Sequence, residues 1–427
     1  MINKLLLNGM HLGKSTTAKH IYWVFSGNVL STILTFFTLV LLISPRISKE
    51  EYGIFLALFT LATLLTDLGE AGLGGALAKY IPPLTVSGKE NEAKKYLATA
   101  FKLNMGIALI IGVLMCIFAS SISGFLFEGT KVFNVLITAF MTITMITMTF
   151  STFALAAYNK FPEVTVVNVF YSLVRLGMLV LMIFVNQLTL PVILVIYLLS
   201  ALFAWGYTFV YLGIDFIKLP LNWNYAKDLG RFARFLAVQK IFIAISSRLD
   251  LLMLIPLAGA IEAGIYGMAS RFALVYPLVI SSVGQVFSPK FAEFKGGKEA
   301  TVFFRKAGLV TSALLISLVF FYIFASFFIR TFVKEYIEAI PVLKGLLIAM
   351  APFIAATPFV SLLTYTLKKP NIVAFASLVQ LIVIFIANLL FIPTLKRLGP
   401  AAGIGVGNAV ALLIIVTGSW YYIAQEK

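Results

Sequence analysis

The apolar positions of this chain fall in long unbroken runs separated by short polar corners, a pattern that predicts membrane-spanning helices. In order, the runs give twelve spans: 21–43, 53–78, 99–127, 131–158, 164–186, 191–213, 231–258, 261–289, 303–330, 340–366, 371–393 and 400–424. Each is long enough as a helix to cross roughly 30 Å of hydrocarbon. The longer connections, 79–98, 214–230 and 290–302, are too short to fold as soluble domains. The fold class that follows is an all-α integral membrane protein of about twelve transmembrane helices. Residues 1–20, with Lys14, Lys19 and His20 ahead of the first span, form a cytoplasmic or interfacial segment. The first run exits through Pro45-Arg46 and is longer than a signal-peptide core, so no cleavable signal is expected.

The polar corners carry a repeat. At an offset of 211 residues Pro45 matches Pro256, Glu51 matches Glu262, Gly53 matches Gly264 and Ile54 matches Ile265. Phe55 likewise matches Tyr266, Lys79 matches Lys290 and Tyr80 matches Phe291. Span 2 then corresponds to span 8, and the chain divides into an N-lobe at 21–213, a linker at 214–230 and a C-lobe at 231–427. An even number of spans per lobe gives both the same orientation, which is a parallel repeat.

Composition confirms the solvent. The chain is 61% hydrophobic and 12% charged, with a mean hydropathy of +1.01. Its net charge of +16 has a topogenic explanation that needs no nucleic acid. With the N-terminus inside, 21 of the 33 Lys and Arg fall in or beside inner segments, 8 in outer loops and 4 within spans. Both termini are therefore expected in the cytoplasm of a multi-pass cell-membrane protein. The single Cys116 forbids an intramolecular disulfide, and His11 and His20 are the only histidines, which leaves no material for a His-rich metal site or a Ser-His-Asp triad.

Candidate chemistry lies in the ionisable residues inside spans, where a charge costs roughly 2.5–3.5 kcal/mol on insertion scales. They are Asp67 and Glu70 on span 2, Arg175 on span 5, Lys240, Arg248 and Asp250 on span 7, and Arg271 on span 8. Asp67 and Glu70, three residues apart, share a helix face that Thr63 and Thr66 extend. They read as a coupling site for a proton or cation, or as charge partners of a cation; a structural pair satisfied by Arg175 or by backbone is the plainer alternative. Lys240, Ser247 and Arg248 lie on roughly one side of span 7, with Asp250 elsewhere. Arg175, Lys240, Arg248 and Arg271 lie at comparable depth and read together as the lining of one cavity, or some of them as structural salt-bridge partners of Asp67, Glu70 and Asp250. Guanidinium suits phosphate through its planar fork, and lysine serves as a point charge. The glycines at 69, 72, 74 and 75 allow close packing or a bend, and the threonines of span 4 serve either their own backbone or a polar wall.

Several of these stretches resemble a known family. Pro45-Arg46, Glu50-Glu51-Tyr52-Gly53-Ile54-Phe55, Asp67-Leu68-Gly69 and Ala78-Lys79-Tyr80 resemble the opening of the polysaccharide-biosynthesis (O-antigen type) flippases. Arg248-Leu249-Asp250 followed by Glu262-Ala263-Gly264-Ile265-Tyr266 resembles the second-half signature, and Tyr158-Asn159-Lys160-Phe161 before Arg175 resembles the passage between spans 4 and 5. Ile47 and Ser48 depart from the Leu-Gly usual in the first corner. The resemblance implies membership of the multidrug/oligosaccharidyl-lipid/polysaccharide exporter superfamily, with two six-helix lobes around a central cavity. It also implies transport of polyprenyl-pyrophosphate saccharides from the cytoplasmic to the outer leaflet, for cell-surface polysaccharide biosynthesis, without catalysis or cofactor. Arg175, Lys240, Arg248 and Arg271 would receive the pyrophosphate and sugar, and Asp67, Glu70 and Asp250 would couple transport or balance charge. Protons or sodium are candidate coupling ions, and a polysaccharide polymerase or glycosyltransferase a candidate partner.

Three other readings share parts of the pattern. A multidrug or cation antiporter of the same superfamily would need an acidic site, against the surplus of basic residues in the spans. A membrane polymerase or ligase would need a large outer loop with acids and histidine, whereas the outer loops are short and hold no histidine. An uncoupled scramblase would look the same in sequence.

Overall fold

The structure, a computed structural model, describes residues 16–274, 276–277, 279–280 and 297–425. Residues 1–15, Leu278, the end of span 8 from 281, and Lys290, Phe291 and Lys295 lie outside the described residues, as do the side chains of Lys19, His20, Lys298, Arg305 and Lys306. Every regular element among the described residues is helical. In chain order they are α1 (Thr16–Phe36), α2 (Lys49–Glu70), α3 (Leu73–Val86), α4 (Glu90–Ile117), α5 (Ala119–Phe127), α6 (Val132–Ala157), α7 (Phe161–Phe184) and α8 (Leu190–Leu212). After them come α9 (Trp223–Ser246), α10 (Leu249–Ala258), α11 (Ala260–Ala273), α12 (Gly297–Phe332), α13 (Ala339–Ser361), α14 (Pro370–Leu395) and α15 (Gly399–Gln425).

By length and hydropathy alone, nine stretches of the described residues qualify as spans, or ten if the pair broken at 247–248 counts as one. One of the nine, Pro370–Gln425, holds both α14 and α15, parted at Lys396, whose φ is 50°. For span 8 the described helix is α11, and residues 281–289 lie outside the described residues. With the broken pair taken as one span and Pro370–Gln425 as two, eleven of the twelve spans of the sequence are matched among the described residues.

Three of those spans are broken helices. Span 2 stops at Glu70, turns through Ala71 (φ 49°) and Gly72 (φ 73°) and resumes as α3. Span 3 breaks at Phe118 and span 7 at Ser247-Arg248. Hydropathy does not see these breaks, because the longer runs that contain them stay apolar on average. Broken helices persist in a membrane only where other groups satisfy the freed backbone.

The chain forms two compact units. The first comprises 1–47 and 58–248, the second 48–57 and 249–427. The chain passes from the first of these units to the second at Arg248–Leu249, and the first turns of α2 count with the second unit. In the first unit Leu73, Leu77 and Ile81 of α3 pack with Leu97 and Phe101 of α4, Phe150 of α6 and Leu229 and Ala233 of α9. Gly72 lies against this wall so closely that a β-carbon on it would fall 2.6 Å from the Ala233 carbonyl oxygen.

In the second unit α2 starts from a capping box. The Ser48 hydroxyl accepts from the Glu51 N–H at 3.1 Å, and the Glu51 carboxylate accepts from the Ser48 N–H at 3.3 Å. The next turn meets α11 at the repeat-related glycines. A β-carbon on Gly53 would fall 1.9 Å from the Ala260 carbonyl oxygen, and one on Gly264 would fall 2.3 Å from that of Lys49. Lys49 and Ala260, like Gly53 and Gly264, are 211 residues apart. The contact between the two repeat-related corners is therefore reciprocal.

Lys49 also donates to Glu338 at 2.9 Å, which with the nearby backbone holds the Glu338 carboxyl below the ordinary glutamate value. A depressed carboxyl contributes stability above its unfolded value and loses it as pH falls through the folded one. The pair is exposed, so Glu338→Gln is expected to lower stability at neutral pH by at most about 1 kcal/mol. The difference should fade in acid, as pH falls through the lowered folded value and the carboxyl becomes protonated in both states. Melting temperatures of the two proteins at neutral and acid pH check this.

Candidate functional site

The ionisable residues within spans form three groups. The first joins α2 to α9. Arg248 Nη2 lies 2.7 Å from Asp67 Oδ2, and Arg248 Nε donates to Thr63 Oγ1 at 3.1 Å. Its Nη1 donates to the Ala244 carbonyl at 3.2 Å and to Ser247 Oγ at 3.1 Å, so the guanidinium closes the frayed end of α9 while reaching across to α2. Eight residues earlier on α9, Lys240 Nζ pairs with the Glu70 carboxylate and lies 4.6 Å from the Phe153 ring centroid. The two pairs run in opposite order along the chain, as antiparallel packing requires.

Glu70 has a second duty. Its carboxylate accepts from the Gly72 N–H at 3.2 Å and from the Gly74 N–H. These donors belong to the start of α3, where amides point out of the helix and the macrodipole favours negative charge. Glu70 is 1% exposed, so its charge is held by one ammonium and one helix start rather than by water. The break after Glu70 makes this possible, since an unbroken helix would have no free N–H groups there. In place of a shared Asp67–Glu70 face, the two acids serve different partners.

The second group is Arg175 on α7, 1% exposed. Its Nη2 donates to Thr35 Oγ1 at 2.7 Å, and its guanidinium carbon lies 4.9 Å from the ring centroids of Tyr171 and Tyr197. No carboxylate of the described residues pairs with it. The third group is in the second unit. Asp250, at the start of α10, accepts from the Tyr266 hydroxyl on α11, and Arg271 lies within electrostatic reach. The buried Nε of Arg271 has no acceptor among the described residues.

Sequence reasoning anticipated these residues but not their pairing. Arg175 was a candidate partner for the span 2 acids; Arg248 and Lys240 take that place, and both fall in the first unit with Asp67 and Glu70. Tyr171 was missed, although its position four residues before Arg175 on one helix was a usable signal. Tyr197, on a separate helix, left none. The threonines of α6 serve their own backbone: Thr138 donates to the Asn134 carbonyl at 2.7 Å, Thr142 to Thr138 at 2.8 Å and Thr152 to Thr149 at 2.7 Å.

A family model described as "Polysaccharide biosynthesis protein" matches residues 17–295, well over half of the 427 residues. The chain belongs to that family. Among solved structures, this polysaccharide biosynthesis protein is similar to a lipid II flippase, MurJ, in an inward closed conformation. The TM-score is 0.74 at 16% identity, covering 92% of this chain and 87% of that one. An inward-facing multidrug resistance MATE transporter of the MOP superfamily follows, with TM-score 0.69 at 14% identity and coverages of 93% and 94%. A MOP superfamily transporter from Pyrococcus furiosus, described as having a reverse polarity of its binding pocket, gives TM-score 0.54 at 12% identity, with coverages of 95% and 93%. At these identities the likeness establishes the fold alone, an all-helical fold shared with these membrane proteins. Among curated proteins no sequence relative was found.

Proposed function

We propose that this protein is a flippase that carries polyprenyl-pyrophosphate-linked saccharides from the cytoplasmic to the outer leaflet of the cell membrane for polysaccharide biosynthesis. It works by alternating access of the lobes 21–213 and 231–427, with both termini in the cytoplasm. The observation that carries this reading is the Arg248–Asp67 pair with its neighbour Lys240. Both cations keep exposed surface, 22% and 35% of their side chains, at the depth of a span. The family match and the fold shared with a lipid II flippase point the same way.

In this mechanism the acids keep the cations charged and placed while no headgroup is bound. The pyrophosphate then displaces Asp67, which is 42% exposed, from the fork of Arg248. Lys240 adds a point charge from the same helix, and Arg271 a further donor. Protonation or cation binding at the released Asp67 would couple transport to an ion gradient, with Glu70 and Asp250 holding charge balance. The saccharide and its lipid contribute the rest of the contact, and the polyprenyl chain stays in the bilayer.

The test is reconstitution with a labelled polyprenyl-pyrophosphate saccharide, read by accessibility in each leaflet. Arg248→Ala and Arg271→Ala are expected to reduce transport by roughly 30-fold or more, the effect of losing about 2 kcal/mol from a hydrogen-bonded charge contact. Folded yield should be unchanged. Full transport by both variants would remove the headgroup assignment. Gradient-driven uptake of a cationic dye in the same vesicles, without saccharide transport, would establish the antiporter instead.

A further inference from the structure

Arg175 is the largest fully buried side chain among the described residues, and its environment is unusual for a cation. Both faces of the guanidinium are covered, by Tyr171 from its own helix and Tyr197 from α8. Only its edge remains for hydrogen bonds. One corner donates to Thr35 on α1, whose own hydroxyl hydrogen goes to the Ser31 carbonyl at 2.7 Å. The Nε–H, in the same plane, has no acceptor. Glu163, the nearest acid on α7, is twelve residues away, about 18 Å along a helix.

Two further buried hydroxyls lie on the same two helices, each one turn from a member of this contact. The Tyr171 hydroxyl, one turn before Arg175, is buried without a hydrogen-bond partner, and so is the Ser31 hydroxyl, one turn before Thr35. Arginine cannot escape its charge by losing a proton. Aromatic faces and one neutral oxygen offset only part of the desolvation of a guanidinium inside a membrane protein. Among the described residues the cluster therefore has one full positive charge, three donors lacking acceptors and no anion of its own.

We propose that Arg175, Tyr171 and Ser31 bind a small monovalent anion, of which chloride is the test case. The ion would lie in the plane of the guanidinium, at the Nε edge that the rings and Thr35 leave without a partner. Size selects it: with Arg175 at 1% exposure and both faces stacked, a pyrophosphate bearing a saccharide and a lipid has no approach. This gives Arg175 a role other than headgroup binding. The ion neutralises the interior of the first unit and joins α1 to α7. The inference does not depend on what the protein transports.

Thermal unfolding of the purified full chain tests it, with chloride replaced stepwise by gluconate at constant ionic strength. The melting temperature is expected to rise saturably with chloride, and bromide to substitute. Tyr171→Phe and Ser31→Ala each remove one donor and leave the charge, so each should shift the midpoint to about tenfold higher chloride. Arg175→Gln should abolish the dependence. If that variant does not fold, the Tyr171→Phe and Ser31→Ala titrations decide alone. Bromide anomalous scattering from crystals should place the ion within hydrogen-bond distance of Arg175 Nε. Equal melting temperatures in chloride and gluconate would overturn the proposal, as would a chloride dependence that neither hydroxyl deletion alters. A protein that binds halide but fails to move the saccharide would overturn the flippase reading and leave this one standing.

Discussion

Glu70→Ala is expected to destabilise the protein by about 3–5 kcal/mol, the cost of leaving a partly buried charge without its partner. Lys240 loses its carboxylate, and the Gly72 and Gly74 N–H groups lose their acceptor at the same time. Water cannot replace that acceptor at a position 1% exposed. Two milder variants separate the parts. Glu70→Gln keeps an oxygen for the start of α3 and removes only the charge. Lys240→Met removes the cation and leaves Glu70 with its amides and the helix dipole, which together offset part of the lost pairing. The expected order of loss is Glu70→Ala, then Glu70→Gln, then Lys240→Met. Melting curves in one detergent give the ranking. If Lys240→Met costs as much as Glu70→Ala, the ion pair carries the whole effect and the helix start carries none.

The second large effect is at the paired glycines. Gly53→Ala and Gly264→Ala each drive a methyl group into a backbone carbonyl, at 1.9 Å and 2.3 Å respectively. No rotamer change relieves such a clash, so each should cost at least the ~1–3 kcal/mol typical of overpacking. Gly106→Ala is the control. Its β-carbon would meet nothing within 4 Å, and α4 should gain up to about 1 kcal/mol from better helix propensity. Because Gly53 and Gly264 share one contact, the double variant should cost less than the sum of the singles. Additive losses, or an unaffected Gly264→Ala protein, would mean that α2 and α11 do not meet as described.

The sequence showed much of this and missed specific parts. The spans were legible because apolar runs of this length are rare outside membrane-crossing helices. The repeat was legible from its charged and glycine-bearing corner, Glu51-Tyr52-Gly53-Ile54-Phe55 against Glu262-Ala263-Gly264-Ile265-Tyr266. What those residues do was not: a matched glycine does not disclose that its partner is its own repeat mate. The break at Ala71-Gly72 was hidden because it turns on two φ angles inside an apolar run. The succession Glu70, Gly72, Gly74 was the available signal, an anion just ahead of a glycine-rich helix start. The seven span charges were legible as residues but not as pairs, since α2 and α9 meet only through tertiary packing.

The Glu70 contacts bear on how the chain is made. Glu70 and Lys240 are 170 residues apart. At about 5–20 residues per second, the ribosome needs roughly 10–30 s to pass from one to the other. During that interval Glu70 enters the bilayer without its lysine. The Gly72 and Gly74 amides, only two and four residues away, are synthesised almost with it and can receive the carboxylate at once. The turn after Glu70 thus serves as a temporary counter-charge for a nascent hairpin, and lets an acid wait in the membrane for a partner not yet translated.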